Sequence, residues 1–239
     1  MTISIFGNIT AAMPRIARIV VIGCPHHITQ RGNYQQKTFS IKADYENYLR
    51  WLSEYCKKYK LSTIAFCLMP NHVHFISIPQ QPDSLSKTFN TCHMRYSQYY
   101  NKKNKNKGHL WQGRFYSCPL DEDHLYEAIR YVENNPVRAK IVKKAEEWQW
   151  SSASAHLSNE KINLVLENIG DYIDIPSWDR YLTEKQEDKI MKEIKSNTLT
   201  GRPSGNDSFI SKIENMLGRR LRPLPEGRPW QKRKIDNEK

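Results

Sequence analysis

No run in the 239-residue chain approaches the ~20 consecutive apolar residues of a bilayer-crossing helix. Met1 to Ala12 lacks both the positive start and the long apolar core of a secretory signal. A soluble, cytoplasmic protein is therefore expected. The five cysteines, at 24, 56, 67, 92 and 118, are odd in number, dispersed and free of any CxxC pair, and read as reduced thiols. Neither GxxxxGK[ST] nor GxGxxG occurs, which leaves ATP and dinucleotide chemistry without support. Carboxylate clusters of the kind a two-metal integrase needs are also missing. Acidic residues are in deficit: 25 Asp and Glu face 37 Lys and Arg, a net charge of +12, which favours association with a polyanion.

Among what is present, His72 and His74 stand out in the run Phe66-Cys67-Leu68-Met69-Pro70-Asn71-His72-Val73-His74-Phe75-Ile76. On a strand, residues i and i+2 share a face, so both imidazoles could reach one divalent ion. A pair of strand histidines satisfied by hydrogen bonds has the same spacing, and eight histidines produce it readily by chance. A second constellation follows the acidic start at Asp121, Glu122 and Asp123, which suits a helix N-terminus. On that helix Tyr131 and Asn135 are four residues apart and share a face. A tyrosine hydroxyl for nucleophilic attack, with an amide oxygen one turn away as third ligand, completes a site with the two histidines. Three protein ligands would leave open positions for phosphate oxygens and water, which favours Mg²⁺ or Mn²⁺ over a structural Zn²⁺. Tyr126 is the competing nucleophile, nine residues from Asn135 and off its face.

Leu68-Met69-Pro70-Asn71-His72-Val73-His74, Gly108-His109-Leu110-Trp111-Gln112-Gly113-Arg114-Phe115 and Tyr131-Val132-Glu133-Asn134-Asn135-Pro136-Val137 resemble segments of the REP-associated tyrosine transposases. These are members of the HUH superfamily of single-strand DNA nucleases. Pro14 to Arg18, Pro25 to Asn33 and the closing Trp148-Gln149-Trp150-Ser151-Ser152 are similar as well, so the likeness spans about residues 13 to 153. It implies a divalent ion on His72, His74 and Asn135, and attack by Tyr131 on single-stranded DNA beside palindromic hairpins through a 5′-phosphotyrosine link. Related insertion-sequence enzymes use glutamine as third ligand, and Asn135 is shorter by a methylene. The family includes homodimers that exchange the tyrosine helix and also monomers. Two rival readings are a non-catalytic hairpin-binding protein, indifferent to Tyr131, and a metal-dependent hydrolytic nuclease with Glu133 as base.

Apolar periodicity predicts a strand over Ala17 to Gln30, a helix over Ile41 to Tyr59, strands over Ser62 to Leu68 and His72 to Pro79, a helix over Ser84 to Tyr100 and a short strand over Arg114 to Pro119. That order is the split βαβ, ferredoxin-like α+β sandwich with an antiparallel sheet. The tyrosine helix comes next, and Asn135, which precedes a proline, is expected at its edge or in a kink. Three regions are expected: a non-structural extension over 1 to 12 with Met13 as an alternative start, a catalytic domain over 13 to 153, and a helical, basic extension over 154 to 239. DNA contacts are expected from Arg31, Gln112 and Arg114, and from Lys102, Lys103, Lys105 and Lys107 in a polar loop. Trp111 and Phe115 either stack on bases or belong to the core. In the tail, Arg202 and Arg228 sit in Gly-Arg-Pro triplets flanking an amphipathic stretch, with Arg219 between them. A tail that adds only non-specific affinity is the plainer alternative.

Overall fold

A computed structural model describes residues 18–158, 162, 164–172, 177–184 and 188–222; the expected extension over 1 to 12 and Arg228 lie outside them. The first half follows the periodicity closely. Strand β1 (His26–Arg31) leads to helix α1 (Lys42–Lys58), then β2 (Leu61–Met69), β3 (His72–Pro79), α2 (Ser84–Asn104) and β4 (Tyr116–Pro119). The sheet order is β2-β3-β1-β4 with every neighbouring pair antiparallel. Both crossovers carry a helix, so the predicted ferredoxin-like sandwich is the observed one.

Alternation along the strands divides the core. Val73 and Phe75 of β3 join Ile28, Phe66 and Leu68 against α1 and α2, where Tyr48, Leu52, Phe89 and Tyr96 recur at helical spacing. Ile76 and Ile78 face the other way and join Cys67, Met69 and Cys118 against α3 (Glu122–Glu133) through Leu125, Ala128, Ile129 and Val132. The sheet is thus covered on both faces. Asp121 caps α3 by accepting the His124 amide at 2.9 Å.

The tyrosine helix stops at Glu133. Asn134 leaves helical geometry with φ −84° and ψ 0°, and a single turn, α4 (Asn135–Arg138), restarts around Pro136. Pro136 has no amide hydrogen to donate and restricts the residue before it, which is why the chain breaks here. Beyond lie α5 (Ala153–Ser158), α6 (Trp178–Thr183), α7 (Asp188–Thr200) and α8 (Asp207–Leu217). The chain from Trp150 to Ser152 runs along β2, with Leu68 N donating to Trp150 O at 2.8 Å and Ser152 N to Phe66 O at 3.0 Å. It covers a sheet edge that would otherwise present unpaired amides.

One strand departs from expectation. β1 begins at His26, nine residues after Ala17. Ile19 and Val21, whose apolar run suggested a strand, instead pack on Ile213 and Leu221 in and beyond α8. Pro25, lacking an amide donor, separates the two segments.

Two core histidines make the fold acid-sensitive. His26 Nδ1 lies 2.8 Å from Cys24 O and its Nε2 accepts from Val21 N at 3.3 Å, so it is held as the neutral ring. Burial pushes its pKa down from 6.5 to about 4, and that of His93, bonded to the Tyr48 hydroxyl at 2.9 Å, down to about 3. An unfolded histidine takes its proton near pH ~6.5, so below that pH the unfolded chain binds more protons and stability falls as pH falls. The urea midpoint is expected to drop steadily between about pH 6.5 and about pH 4, and His93→Gln to make that slope shallower. An unfolding series across that range that stays flat for the parent protein would contradict the assignment.

Candidate active site

The face of the sheet that carries His72 and His74 opens at the strand ends into a cleft of about 670 Å³. Its floor is His27, Thr29 and Arg31 of β1 with His72 and His74 of β3. Tyr131 of α3, Asn135 and Arg138 of α4, and Lys195 and Thr198 of α7 form its walls. Register makes the floor: Thr29 pairs with His74 and Arg31 with His72, and same-face neighbours on adjacent strands lie side by side.

The two histidine rings are 5.0 Å apart, centroid to centroid, and nearly perpendicular. Tyr131 stands with its ring 5.5 Å from that of His74, edge to face, and 5.8 Å from that of His27. The Arg138 guanidinium carbon lies 4.2 Å from the Tyr131 ring centroid, and Lys195 Nζ 5.5 Å from it. Tyrosine, histidines and two cations thus converge on one space. Tyr126 packs against the apolar core of α3 and does not line the cleft.

Burial keeps the imidazoles neutral. His72 is pushed down to about 4 by loss of solvent, with Arg31 and Arg138 adding to the effect. His74 lies well below the ordinary histidine range for the same first reason, reinforced by His72 and His27. A neutral ring keeps a lone pair, which a metal ligand requires. Two such rings on one rigid strand fit a divalent ion. Asn135 fits less directly, because its Nδ2 donates to Tyr131 O at 3.1 Å and Val132 O at 3.3 Å, and its Oδ1 accepts from Arg138 at 3.3 Å. That oxygen has a second lone pair to offer an ion, shared with the arginine bond. Among the described residues, no group of three or more His, Cys, Asp and Glu side chains is placed to hold a metal ion.

Glu133 has no part in the cleft. Fully buried, it accepts from Ser152 Oγ at 2.5 Å and Trp178 Nε1 at 2.9 Å, and lies 2.6 Å from His156 Nδ1. This arrangement overturns its candidacy as a hydrolytic base, since a base must reach a water beside the ion. Two residues earlier on α3, Tyr131 turns to the other side.

Of the expected DNA contacts, the structure brings Arg31 and Gln112 into the cleft. Gln112 arrives because the 108–115 loop docks on the end of β1, through Gln112 N to Arg31 O at 2.8 Å. Arg114 lines a second groove along α2, and the two grooves share Gln112 and Tyr116. Trp111 and Phe115 are core residues, 7% and 3% exposed, so neither offers a face to a base. Lys102, Lys105 and Lys107 are exposed outside the first cleft. Lys103 also lies outside it, paired with buried Asp44 at 2.5 Å. Arg202 donates to Leu221 O at 3.2 Å, and Arg219, half-buried after α8, is likewise away from the cleft.

Sequence reasoning missed His27, Arg138, Lys195 and Thr198. His27 falls on the same alternation as Arg31, and Arg138 follows Asn135 by one turn, so both had a signal in spacing. Lys195 and Thr198 come from a stretch whose chemistry was not legible.

Several known proteins are similar to this chain. Residues 20–135 match the family described as IS200-like transposases. A Haemophilus influenzae protein named as a REP-associated tyrosine transposase is 27% identical over 130 residues, 49% of this chain and 74% of its own. Among solved structures, a REP-associated tyrosine transposase bound to a REP hairpin covers 65% of this chain and 93% of its own, at 17% identity and a TM-score of 0.49. A transposase from Deinococcus radiodurans covers 51% and 97%, at 19% identity and a TM-score of 0.36. Residues 20–135, which carry the sheet, both cleft histidines and Tyr131, are thus similar to the IS200-like transposases.

Proposed function

We propose that this protein is a transposase that cleaves and rejoins single-stranded DNA beside palindromic hairpins, with Tyr131 as nucleophile and Mg²⁺ or Mn²⁺ held by His72, His74 and Asn135. The observation that carries the reading is the convergence of Tyr131 with His72 and His74 on one cationic cleft, the Tyr131 and His74 rings 5.5 Å apart.

In the forward step the Tyr131 oxygen attacks phosphorus, and the bond from phosphorus to the 3′ oxygen breaks. The tyrosine gives up its proton, the departing strand gains one as a 3′-hydroxyl, and the 5′ end stays on the enzyme. Rejoining is the reverse attack by a 3′-hydroxyl, so the phosphodiester energy is conserved and no ATP is needed. A bound divalent ion would polarise the phosphate and stabilise the departing oxygen. Arg138 and Lys195, which flank the tyrosine ring, supply positive charge where the phosphate sits. Arg31, Gln112 and exposed Tyr116 then lead the strand from the cleft into the groove that holds Arg114, and Lys102, Lys105 and Lys107 lie near its far end at Asn101 and Gly108.

The hairpin preference rests on the resemblance carried by the sequence segments and on the relative whose name includes the REP element. A homodimer and a monomer are both compatible with this chemistry.

Purified protein mixed with labelled hairpin DNA and Mn²⁺ is expected to give a covalent band on a denaturing gel. Tyr131→Phe and chelation should each remove the band, with hairpin binding by the Phe variant retained. Tight binding without an adduct would favour a recognition protein, and cleavage to hydroxyl-ended products without an adduct a hydrolase. Arg138→Ala is expected to slow adduct formation by about 10²- to 10³-fold, as loss of one aimed transition-state donor does elsewhere. Glu133→Gln should lower unfolding stability by about 1–3 kcal/mol, since buried donors lose an acceptor oxygen, while folded protein keeps adduct formation within a few-fold. Single-turnover rates beside urea curves separate those effects; a stable Gln variant lacking chemistry would restore Glu133 to the mechanism.

A further inference from the structure

His74 Nδ1 is not turned to the cleft. It lies 2.9 Å from His27 Nε2, the two rings stacked at 5.2 Å and nearly parallel. His27 Nδ1 in turn lies 2.7 Å from the Thr198 hydroxyl, and that hydroxyl donates to the Ile194 carbonyl of its own helix at 2.7 Å. His27, His74 and Thr198 are all buried residues. A threonine hydroxyl has one proton and can accept twice. Ile194 O takes the proton, so Thr198 Oγ1 accepts from His27 Nδ1–H. With Nδ1 protonated, neutral His27 has its lone pair on Nε2 and accepts from His74 Nδ1–H. That leaves the His74 lone pair on Nε2. Cys118 Sγ, 3.2 Å from Thr198 Oγ1, supplies the second donor to that oxygen.

His72 is fixed by an independent path. Asn71 Nδ2 donates to Gln35 O at 3.2 Å, which sets the amide so that Oδ1 faces His72 Nδ1 at 2.6 Å. That bond needs a proton on Nδ1 and puts the lone pair on Nε2. The Gln35 carbonyl is presented by a turn in which Tyr34 and Gln35 both have positive φ, 50° and 58°. A Cβ on the neighbouring Gly32 would stand 2.5 Å from Gln36 O, so only glycine fits that tight turn.

We propose that Asn71 and the His27–Thr198 pair are positioning residues, which lock His72 and His74 in the Nδ1–H tautomer and so present both as Nε2 ligands. Each relay ends on a main-chain carbonyl. A carbonyl only accepts, and this gives the row its direction. Were Thr198 to donate to His27 instead, His74 would carry its proton on Nε2 and could not bind an ion there. The assignment rests on the metal role proposed above for the two histidines, but it concerns their protons alone and can be read without DNA.

The test is made on the full chain, labelled with ¹⁵N-histidine, metal-free and DNA-free near neutral pH. Long-range proton–nitrogen correlations report which ring nitrogen carries hydrogen, with the His74 signals assigned by their loss in His74→Gln. Wild type is expected to show the Nδ1–H pattern for His27, His72 and His74. Thr198→Val should remove the single-tautomer pattern at His27 and His74, leave His72 unchanged and weaken Mn²⁺ binding, followed by calorimetry, about 10- to 100-fold. Thr198→Ser should restore both. Wild-type His74 protonated on Nε2 overturns the proposal, and so does Thr198→Val binding Mn²⁺ as wild type does. If the valine variant fails to fold, the wild-type spectrum and the serine variant decide. The Nδ1–H pattern in wild type, together with its loss and weakened Mn²⁺ binding in Thr198→Val, supports the relay even when no DNA adduct forms, and that absence counts against the phosphotyrosine reading alone.

Discussion

The pleat of β3 is the constraint on which the site depends. Val73 and Phe75 are committed to the packed aromatic layer under α1 and α2, so His72 and His74 must emerge on the opposite face. A slip of one residue in the pairing with β1 would drive both imidazoles into that layer and expose Phe75. Burial of the apolar residues therefore sets where the polar ones go. Ile76 and Ile78, farther along the same face, close the core beneath α3, and the cleft begins where that apolar stripe gives way to histidine.

Helix α3 answers the strand with a two-sided pattern of its own. Tyr131 projects to the cleft while Glu133 anchors the helix end to the segments that follow, through Ser152, His156 and Trp178. A buried carboxylate is tolerable only when its oxygens are paired, and here the partners come from two separate parts of the chain, Ser152 with His156 at α5 and Trp178 at α6. Their convergence fixes the last turn of α3 against β2, the turn that also carries the nucleophile. Beyond the break at Asn134, the single turn of α4 keeps Asn135 and Arg138 beside Tyr131, as i+4 and i+7 spacing on one helix face would.

The elements legible in the sequence were those whose periodicity answers to a single core. α1, α2, β2 and β3 alternate or repeat against one apolar face each, and their limits fall within a few residues of the periodic runs. The run Ile19 to Val21 was misread as strand because apolar residues look alike whether they pair with a sheet or pack on a distant helix, and its partner, α8, lies almost two hundred residues away. His72, His74 and Tyr131 could be picked out by spacing together with family resemblance. Their mutual approach could not, since it depends on register and helix docking. Trp111 and Phe115 show the same ambiguity in another form: aromatics among basic residues suit a nucleic-acid surface, yet here the rings complete the core and only the polar residues between them, Gln112 and Arg114, reach the grooves.

Thr198 and Lys195 were the least legible because their meaning comes from what α7 packs against. Three residues apart, they share a helix face, and that face lies over β4 and the start of β1. The contribution is electrostatic as much as steric. By closing over His27, α7 takes solvent away from a ring that pairs with His74, and a desolvated imidazole resists a second proton. It also brings Lys195 up to the tyrosine ring. The segment matched by the family ends at residue 135, so the hydroxyl at the end of the His74 row is supplied by chain beyond it. A sheet that offers two histidines sets where an ion would sit. Which nitrogen faces that ion is set from behind, by a helix that belongs to the least recognisable part of the sequence.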